Sequence, residues 1–414
     1  MSTRTTNDIG LGLLRQPKHL TFGPGQRAQL PHLVRGIGTR ALICTDERMA
    51  SSEPFTEIVA MLRDSGVAVE VFDGVEAELP RDNLHGVVDS FSGSALDVVI
   101  GVGGGSCLDF AKVAAILLAR GGDVRDLYGE NRVAGPGLPM IAVPTTGGTG
   151  AEITCISVVY DADLGMKVGI ASPYLEAHAA VVDPELTISC PRGLTAATGA
   201  DALSHLIESF TARAKNPGTD HIEQHLYVGK NLLTDIYARH GLSLLNTSLE
   251  QLATDLTDLD ARSDTMLAAM SAGMAINTAG TAGAHAIQSP IGALTHTAHG
   301  FGVGALLPYV MRYNLPTREP EFAEIADSVG VGAGGDQSAR AKAAILRVED
   351  ILAALDVPLN LRDLGLRPEH FEVVAEQAMK ATRLTANNPR ELTHDAIVEI
   401  IKRGYADDRG WWDL

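Results

Sequence analysis

The sequence predicts an α/β domain built on a parallel sheet over residues 1–192, followed by an all-α domain over 193–414. Three observations point there. A chain of 414 residues, 45% hydrophobic, can bury a large core and does so more readily as two domains than as one. Strand-like runs alternate with amphipathic stretches through the first half, the pattern of βαβ units in a parallel sheet. From about residue 193 the β-branched clusters thin out, and long helix-compatible runs punctuated by Gly and Pro take over.

In chain order, the strand-like segments are "ALICTD" at 41–46, "VAVEVFDGV" at 67–75, "ALDVVIGVGGG" at 95–105 and "MIAVPTT" at 140–146. The helical runs of the second half cover 222–247, 262–279 and 340–355. The one biased patch, "GVGAGGDQSARAKAA" at 330–344, reads as a loop entering a helix, and no repeat of 20 to 50 residues is evident.

Composition narrows the function classes. Thirty-three basic residues against 51 acidic ones give a net charge of −18, which argues against a phosphate-backbone partner and so against nucleic acid. No uninterrupted apolar stretch reaches the 18 residues of a membrane helix, and the N-terminus lacks the basic and apolar regions of a signal peptide, so a soluble cytoplasmic protein without a membrane partner is expected. Cys44, Cys107, Cys155 and Cys190 form no CxxC pair and read as reduced structural thiols.

"DVVIGVGGGSCLDFAK" runs from a hydrophobic strand through Gly101, Gly103, Gly104, Gly105 and Ser106 into a helix. Glycines let backbone approach a pyrophosphate, and the first helical amides meet it at the positive end of the dipole. The spacing departs from GxGxxG, because the third glycine counted from Gly101 falls on Ser106. Asp109 is either a first-turn acid complementing the dipole or a cofactor contact. "PTTGGTGAE" at 144–152 supplies a second polar loop at a strand end, where ligands of open parallel sheets sit. Asp46 closes the first strand, where an acid accepts from ribose hydroxyls and favours NAD over NADP; a helix N-cap is the competing role.

Asp201 and His205, at i and i+4 in "GADALSHLIESF", share one helix face and can converge on one cation. Downstream, "GAHAIQSPIGALTHTAHG" adds His285, His296 and His299 in a segment poor in charge. His285 comes from the helical run before Pro290, and His299 opens the next one after a loop. One carboxylate with three imidazoles suits a borderline divalent metal such as Fe²⁺ or Zn²⁺ and leaves a position for a substrate oxygen. His296, beside threonines, is expected at the rim of the site.

Together these segments resemble the iron-containing (group III) alcohol dehydrogenases over nearly the whole chain. The resemblance rests on the ordered set "FGPG", "GGGSCLDFAK", "PTTGGTGAE", "DALSHLIES", "HAIQSPIGALTHTAHG", "LLPYVMRYN" and "NPRELT". It implies a dehydroquinate synthase-like fold with a nucleotide-binding sheet domain and a metal-binding helical domain. It implies Asp201, His205, His285 and His299 as metal ligands, and Gly103, Gly104, Gly105 and Ser106 at the NAD pyrophosphate. Thr145, Thr146 and Thr149 would line the cofactor, Lys167 would reach its ribose, and Asp46 matches the acid that favours NAD. A small alcohol or aldehyde substrate and a homodimer are further implications. One position departs: the family carries a histidine four residues after the third ligand, where this chain has Ser289. Ser289, relaying through water, and His296 are the candidates to carry the proton instead. Rival readings are a hydroxyacid-oxoacid transhydrogenase or other same-fold enzyme with retained NAD, and a non-catalytic nucleotide-binding protein.

Overall fold

The computed structural model describes residues 10–215, 217–218 and 220–412. The N-terminal segment read for a signal peptide therefore lies partly outside the described residues. Two compact units emerge, one of residues 15–189 with 224–226, the other of residues 10–14 with most of 190–412. The N-terminal strip joins the helical unit. Thr278 ties the strip to that unit, its hydroxyl donating to the carbonyl of Leu13.

The first unit carries strands β1 (His19–Phe22), β2 (Arg40–Cys44), β3 (Ala68–Phe72), β4 (Val98–Gly103), β5 (Gly129–Glu130), β6 (Met140–Pro144), β7 (Ile156–Asp161), β8 (Met166–Ala171) and β9 (Ala179–Val182). Its helices are α1 (Leu30–Arg35), α2 (Glu47–Ala50), α3 (Glu53–Asp64), α4 (Arg81–Phe91) and α5 (Gly105–Arg120). Six strands form an all-parallel sheet in the order β1-β9-β6-β4-β2-β3, and β5-β8-β7 form a separate small sheet. Four of these strands coincide with the sequence segments; the short β1, β5 and β9 and the β7–β8 hairpin were not anticipated.

Alternation along each strand explains why the sheet is covered twice. Leu42, Val99, Ala142 and Ala180 face a core with α5, whereas Ala41, Ile43, Val98, Ile100, Val102, Ile141 and Val181 face a second core with α1 and α3. With both faces buried, the strands read as continuous apolar runs. β2 and β4 are neighbours, yet the chain leaves β2 through α3 toward β3 and leaves β4 through α5 toward β6. The carboxyl ends of β2 and β4 therefore form a topological switch point, where open α/β sheets bind ligands.

The second unit is helical: α6 (Arg192–Thr211), α7 (His221–Gln224, whose last residue belongs to the sheet unit), α8 (Leu232–Thr254), α9 (Leu259–Ala279), α10 (Gly283–Thr295), α11 (His299–Ser328), α12 (Gln337–Ala354), α13 (Phe371–Lys380), α14 (Thr382–Asn387) and α15 (His394–Ala406). α6 is buried on nearly every side and packs in the core with α8, α9, α11 and α12. A helix so enclosed needs no polar face, which makes the polar residues it does carry conspicuous. α10 does not stop before Pro290, as the sequence suggests, but runs through it to Thr295. Proline inside a helix costs about 3 kcal/mol or more, and Ile287 and Ile291 on either side of it are buried in the core beneath. Asp336 caps α12, as expected for a loop that opens a helix. Among the described residues no helix is long and apolar enough to cross a membrane.

Candidate functional site

α6 delivers Asp201 and His205 one turn apart, α10 delivers His285, and α11 opens with His299. The three helices bring these four side chains together. Asp201 Oδ1 lies 3.5 Å from Nε2 of His205, of His285 and of His299. Ligand atoms of Asp201, His285 and His299 all lie within 4.8 Å of one another. His205 stacks on His285 with ring centroids 4.8 Å apart. Gly300 permits the approach of α11 to α6, because a Cβ there would stand 1.8 Å from the carbonyl oxygen of Ala197.

Charge within the cluster is out of balance in a way that calls for a cation. Burial draws the Asp201 carboxyl upward, but the imidazoles of His205, His299 and His285 outweigh it and hold the group well below the usual carboxylate range. Burial draws His285 down, yet Glu208 and Asp201 more than reverse this and push it up to about 9. At 3.5 Å the contacts to Asp201 are charge attraction without good hydrogen-bond geometry. Asp201 Oδ1 and His285 Nε2 are buried and make no hydrogen bond among the described residues. Orphaned buried groups of this kind cost about 1–3 kcal/mol each, and a divalent ion would satisfy both. The donor set fits iron or zinc.

Two partners of this cluster were missed in the sequence. Glu208, buried on α6 on the same face as Asp201 and His205, accepts from Nδ1 of His285 at 2.5 Å and from the amides of Ala282 and Ala284 at 2.9 and 2.6 Å. It thereby caps α10 and fixes its register against α6. Burial opposes its ionisation, but His285 and the two amides keep its pKa below the usual value. Gln288 accepts from His299 Nδ1 at 2.8 Å. Glu208 had a signal in the helical spacing 201, 205, 208; Gln288 had none. Ser289, half-buried, follows on α10, and His296 is exposed at its end with φ 55°.

In the sheet unit, β4 ends at Gly103 and α5 begins at Gly105 without a side-chain cap, leaving its first amides available. A Cβ on Gly103 (φ 151°) would stand 2.5 Å from Cys107 Sγ, and one on Gly105 would stand 2.7 Å from Thr149 Cγ2. Those absences let the threonine loop close on the turn. Thr145 extends the pairing of β6 with β4 by donating its amide to Gly103 at 3.0 Å, and Thr146 lies beside Gly104. Ser106 occupies the first turn.

Three other expected cofactor residues are engaged within the protein. Asp46 Oδ1 accepts from Met49 N at 2.8 Å and so caps α2, which begins just after β2 ends at Cys44. Its second oxygen accepts from Cys107 Sγ at 3.5 Å, beside the glycine turn. Asp109 braces α5 against β7, with Oδ1 on Lys112 Nζ at 3.0 Å and Oδ2 on the amide of Val158 at 3.0 Å. Lys167, on β8, forms an ion pair with Glu78.

A model of iron-containing alcohol dehydrogenases matches residues 17–184, and one of the C-terminal part of that family matches 221–405. The chain belongs to the iron-containing alcohol dehydrogenase family. It is 31% identical to an NAD-dependent methanol dehydrogenase of Bacillus methanolicus over 388 residues, covering 93% of this chain and 98% of that one. It is 32% identical to a 1,3-propanediol dehydrogenase of Klebsiella pneumoniae over 396 residues, 93% of this chain and 96% of that one. The crystal structure of a 1,3-propanediol oxidoreductase superposes with a TM-score of 0.89 at 30% identity, covering 95% of this chain and all of the other (100%). Family membership makes the protein an iron-type alcohol dehydrogenase or aldehyde reductase, with the α/β and helical domains of that fold.

Proposed function

We propose that the protein is an NAD-linked, metal-dependent oxidoreductase that interconverts a primary alcohol, diol or hydroxy acid and its aldehyde or ketone. The observation that carries this reading is the buried Asp201 oxygen facing three imidazole Nε2 atoms at 3.5 Å. NAD has support in the NAD dependence of the methanol dehydrogenase relative. A divalent ion in this cluster supplies a Lewis acid for the alcohol oxygen, and the nicotinamide supplies the hydride acceptor.

Asp201, His205, His285 and His299 would hold the ion, iron by family and zinc by the same donor chemistry. Glu208 keeps the His285 ring turned toward Asp201. The uncapped amides at Gly104, Gly105 and Ser106, reached over Gly103, suit a pyrophosphate, with Thr145, Thr146 and Thr149 beside them. Asp46 would add a ribose contact while repelling a 2′-phosphate, and Lys167 would exchange Glu78 for the cofactor. Ser289, one turn beyond His285, and exposed His296 are the proposed proton carriers. A cytoplasmic setting is supported by four buried, unbridged cysteines. A homodimer has support in the exposed apolar residues Val158, Leu164 and Met166 on one hairpin, and sizing of the pure protein tests it.

The experiment follows NADH formation with primary alcohols, diols and hydroxy acids, before and after chelation and in His285→Ala. Chelation and the substitution should each lower the rate by about a thousandfold, several kcal/mol of lost charge stabilisation, and Fe²⁺ or Zn²⁺ should restore only the chelated wild type. Activity that survives both treatments overturns the ligand assignment. NAD retained through purification, with no net NADH from any alcohol, favours the transhydrogenase reading instead.

A further inference from the structure

His285 and His299 present Nε2 to the same Asp201 oxygen, yet each ring is steered from behind by a different kind of partner. Glu208, an anion, stands behind His285; the neutral amide of Gln288 stands behind His299. We propose that Gln288 is a positioning residue for the metal, holding His299 in the Nδ1–H tautomer so that its Nε2 lone pair points at the ion. The inference rests on the metal site proposed above.

A neutral imidazole carries one proton, and whatever binds one nitrogen decides the state of the other. An amide oxygen can only accept. With Gln288 Oε1 at 2.8 Å, the proton is therefore kept on Nδ1 and Nε2 is left to donate its pair. His299 has the greatest need of such a partner, since its side chain is 34% exposed against 8% for His205 and for His285, and water competes for its nitrogens. Gln288 is itself only 2% exposed. Its seat is made by two glycines: a Cβ on Gly302 of α11 would stand 2.7 Å from Gln288 Cγ, and one on Gly292, a turn later on α10, 2.7 Å from Nε2. The amide thus couples α10 to α11 as Glu208 couples α6 to α10. Because a carboxylate draws on an N–H more strongly than an amide does, Glu208 pulls harder on the His285 ring than Gln288 does on that of His299.

The test uses the full-length protein with Gln288→Leu, Gln288→Glu and Gly302→Ala, the last keeping the glutamine but filling its seat. Zn²⁺ affinity is read by competition with a chromophoric chelator, the Co²⁺ visible spectrum reports ligand geometry, and the melting temperature of the metal-free protein reports folding. Gln288→Leu and Gly302→Ala should weaken metal binding about 10- to 100-fold and alter the Co²⁺ spectrum, while Gln288→Glu should bind at least as tightly as wild type. Wild-type affinity and spectrum in Gln288→Leu overturn the inference, as does a Gln288→Glu variant that fails to recover what Gln288→Leu lost. If Gln288→Leu does not fold, wild-type affinity in Gly302→Ala overturns it. A wild-type protein that binds no metal refutes the site itself, a result the wild-type arm reports before any variant is compared.

Discussion

The sheet unit prepares its ligand site by leaving side chains out, and the helical unit prepares its own by crowding them in. At the glycine turn, Gly103 and Gly105 matter for the Cβ atoms they lack, and the available donors are backbone amides. At the Asp201 cluster, the groups are side chains, nearly all titratable and all but His299 taken out of water, balanced against their neighbours. The difference teaches where each site is fragile. A backbone site tolerates exchange of its neighbours until something enters its space; a buried charged site fails when any partner is removed, because the remainder is left uncompensated.

The sharpest test of that contrast is Glu208→Ala. It strips the partner from His285 and from two amides at the start of α10, and a loss of about 3–5 kcal/mol is expected in denaturant unfolding. A cost below 1 kcal/mol would break the picture of a self-balanced cluster. Gly105→Val comes next: its side chain collides with Thr149, so NAD affinity by titration should fall about 100-fold while metal content stays at the wild-type level. Equal damage to both would erase the distinction between the units.

Comparable in size, and confined to the sheet unit, is the effect of Glu152. Burial, against its own backbone and Lys112, pushes this carboxyl up to about 7. The folded state therefore binds the proton more tightly than the unfolded chain, whose value is near 4.3. The resulting stability is complete below pH 4.3 and is lost as pH rises through 7. Glu152→Gln should remove that slope and gain on the order of 3 kcal/mol relative to wild type at pH 8, read from unfolding at pH 4 and pH 8. An unchanged slope would show that the carboxyl ionises freely.

The least effect on stability belongs to His296→Gly. His296 ends α10 in the left-handed region, where a Cβ costs about 1–2 kcal/mol. Glycine should raise stability by about 1 kcal/mol. An unchanged alcohol oxidation rate in this variant would remove His296 from the proton path and leave Ser289 as the candidate.

Chemistry confined to one stretch of chain was legible without a structure. The strand, glycine turn and helix at 98–120 are written consecutively, and Asp201 with His205 are written one helical turn apart. Asp46 shows the limit, since its sequence context allowed a cap or a ribose contact and the structure displays the cap. Asp109 was equally open, and the fold turns it into a brace for β7. The cap is a local bond to Met49, three residues on, but the Asp109 brace and the contact of Asp46 with Cys107 each depend on a partner from elsewhere in the chain.

By itself the sequence determined the order of the elements, the periodicities that make them strands or helices, and the residue types able to carry each chemistry, because these follow from local geometry. Only the tertiary structure decided that Asp201 meets three imidazoles at one oxygen, that Glu208 and Gln288 stand behind two of them, and that Lys167 pairs with Glu78. Convergence of this sort depends on the distance between helix axes and on where a missing Cβ lets them approach, as Gly300 does against Ala197. Those distances are set by packing among residues far apart in the chain, and no local pattern encodes them.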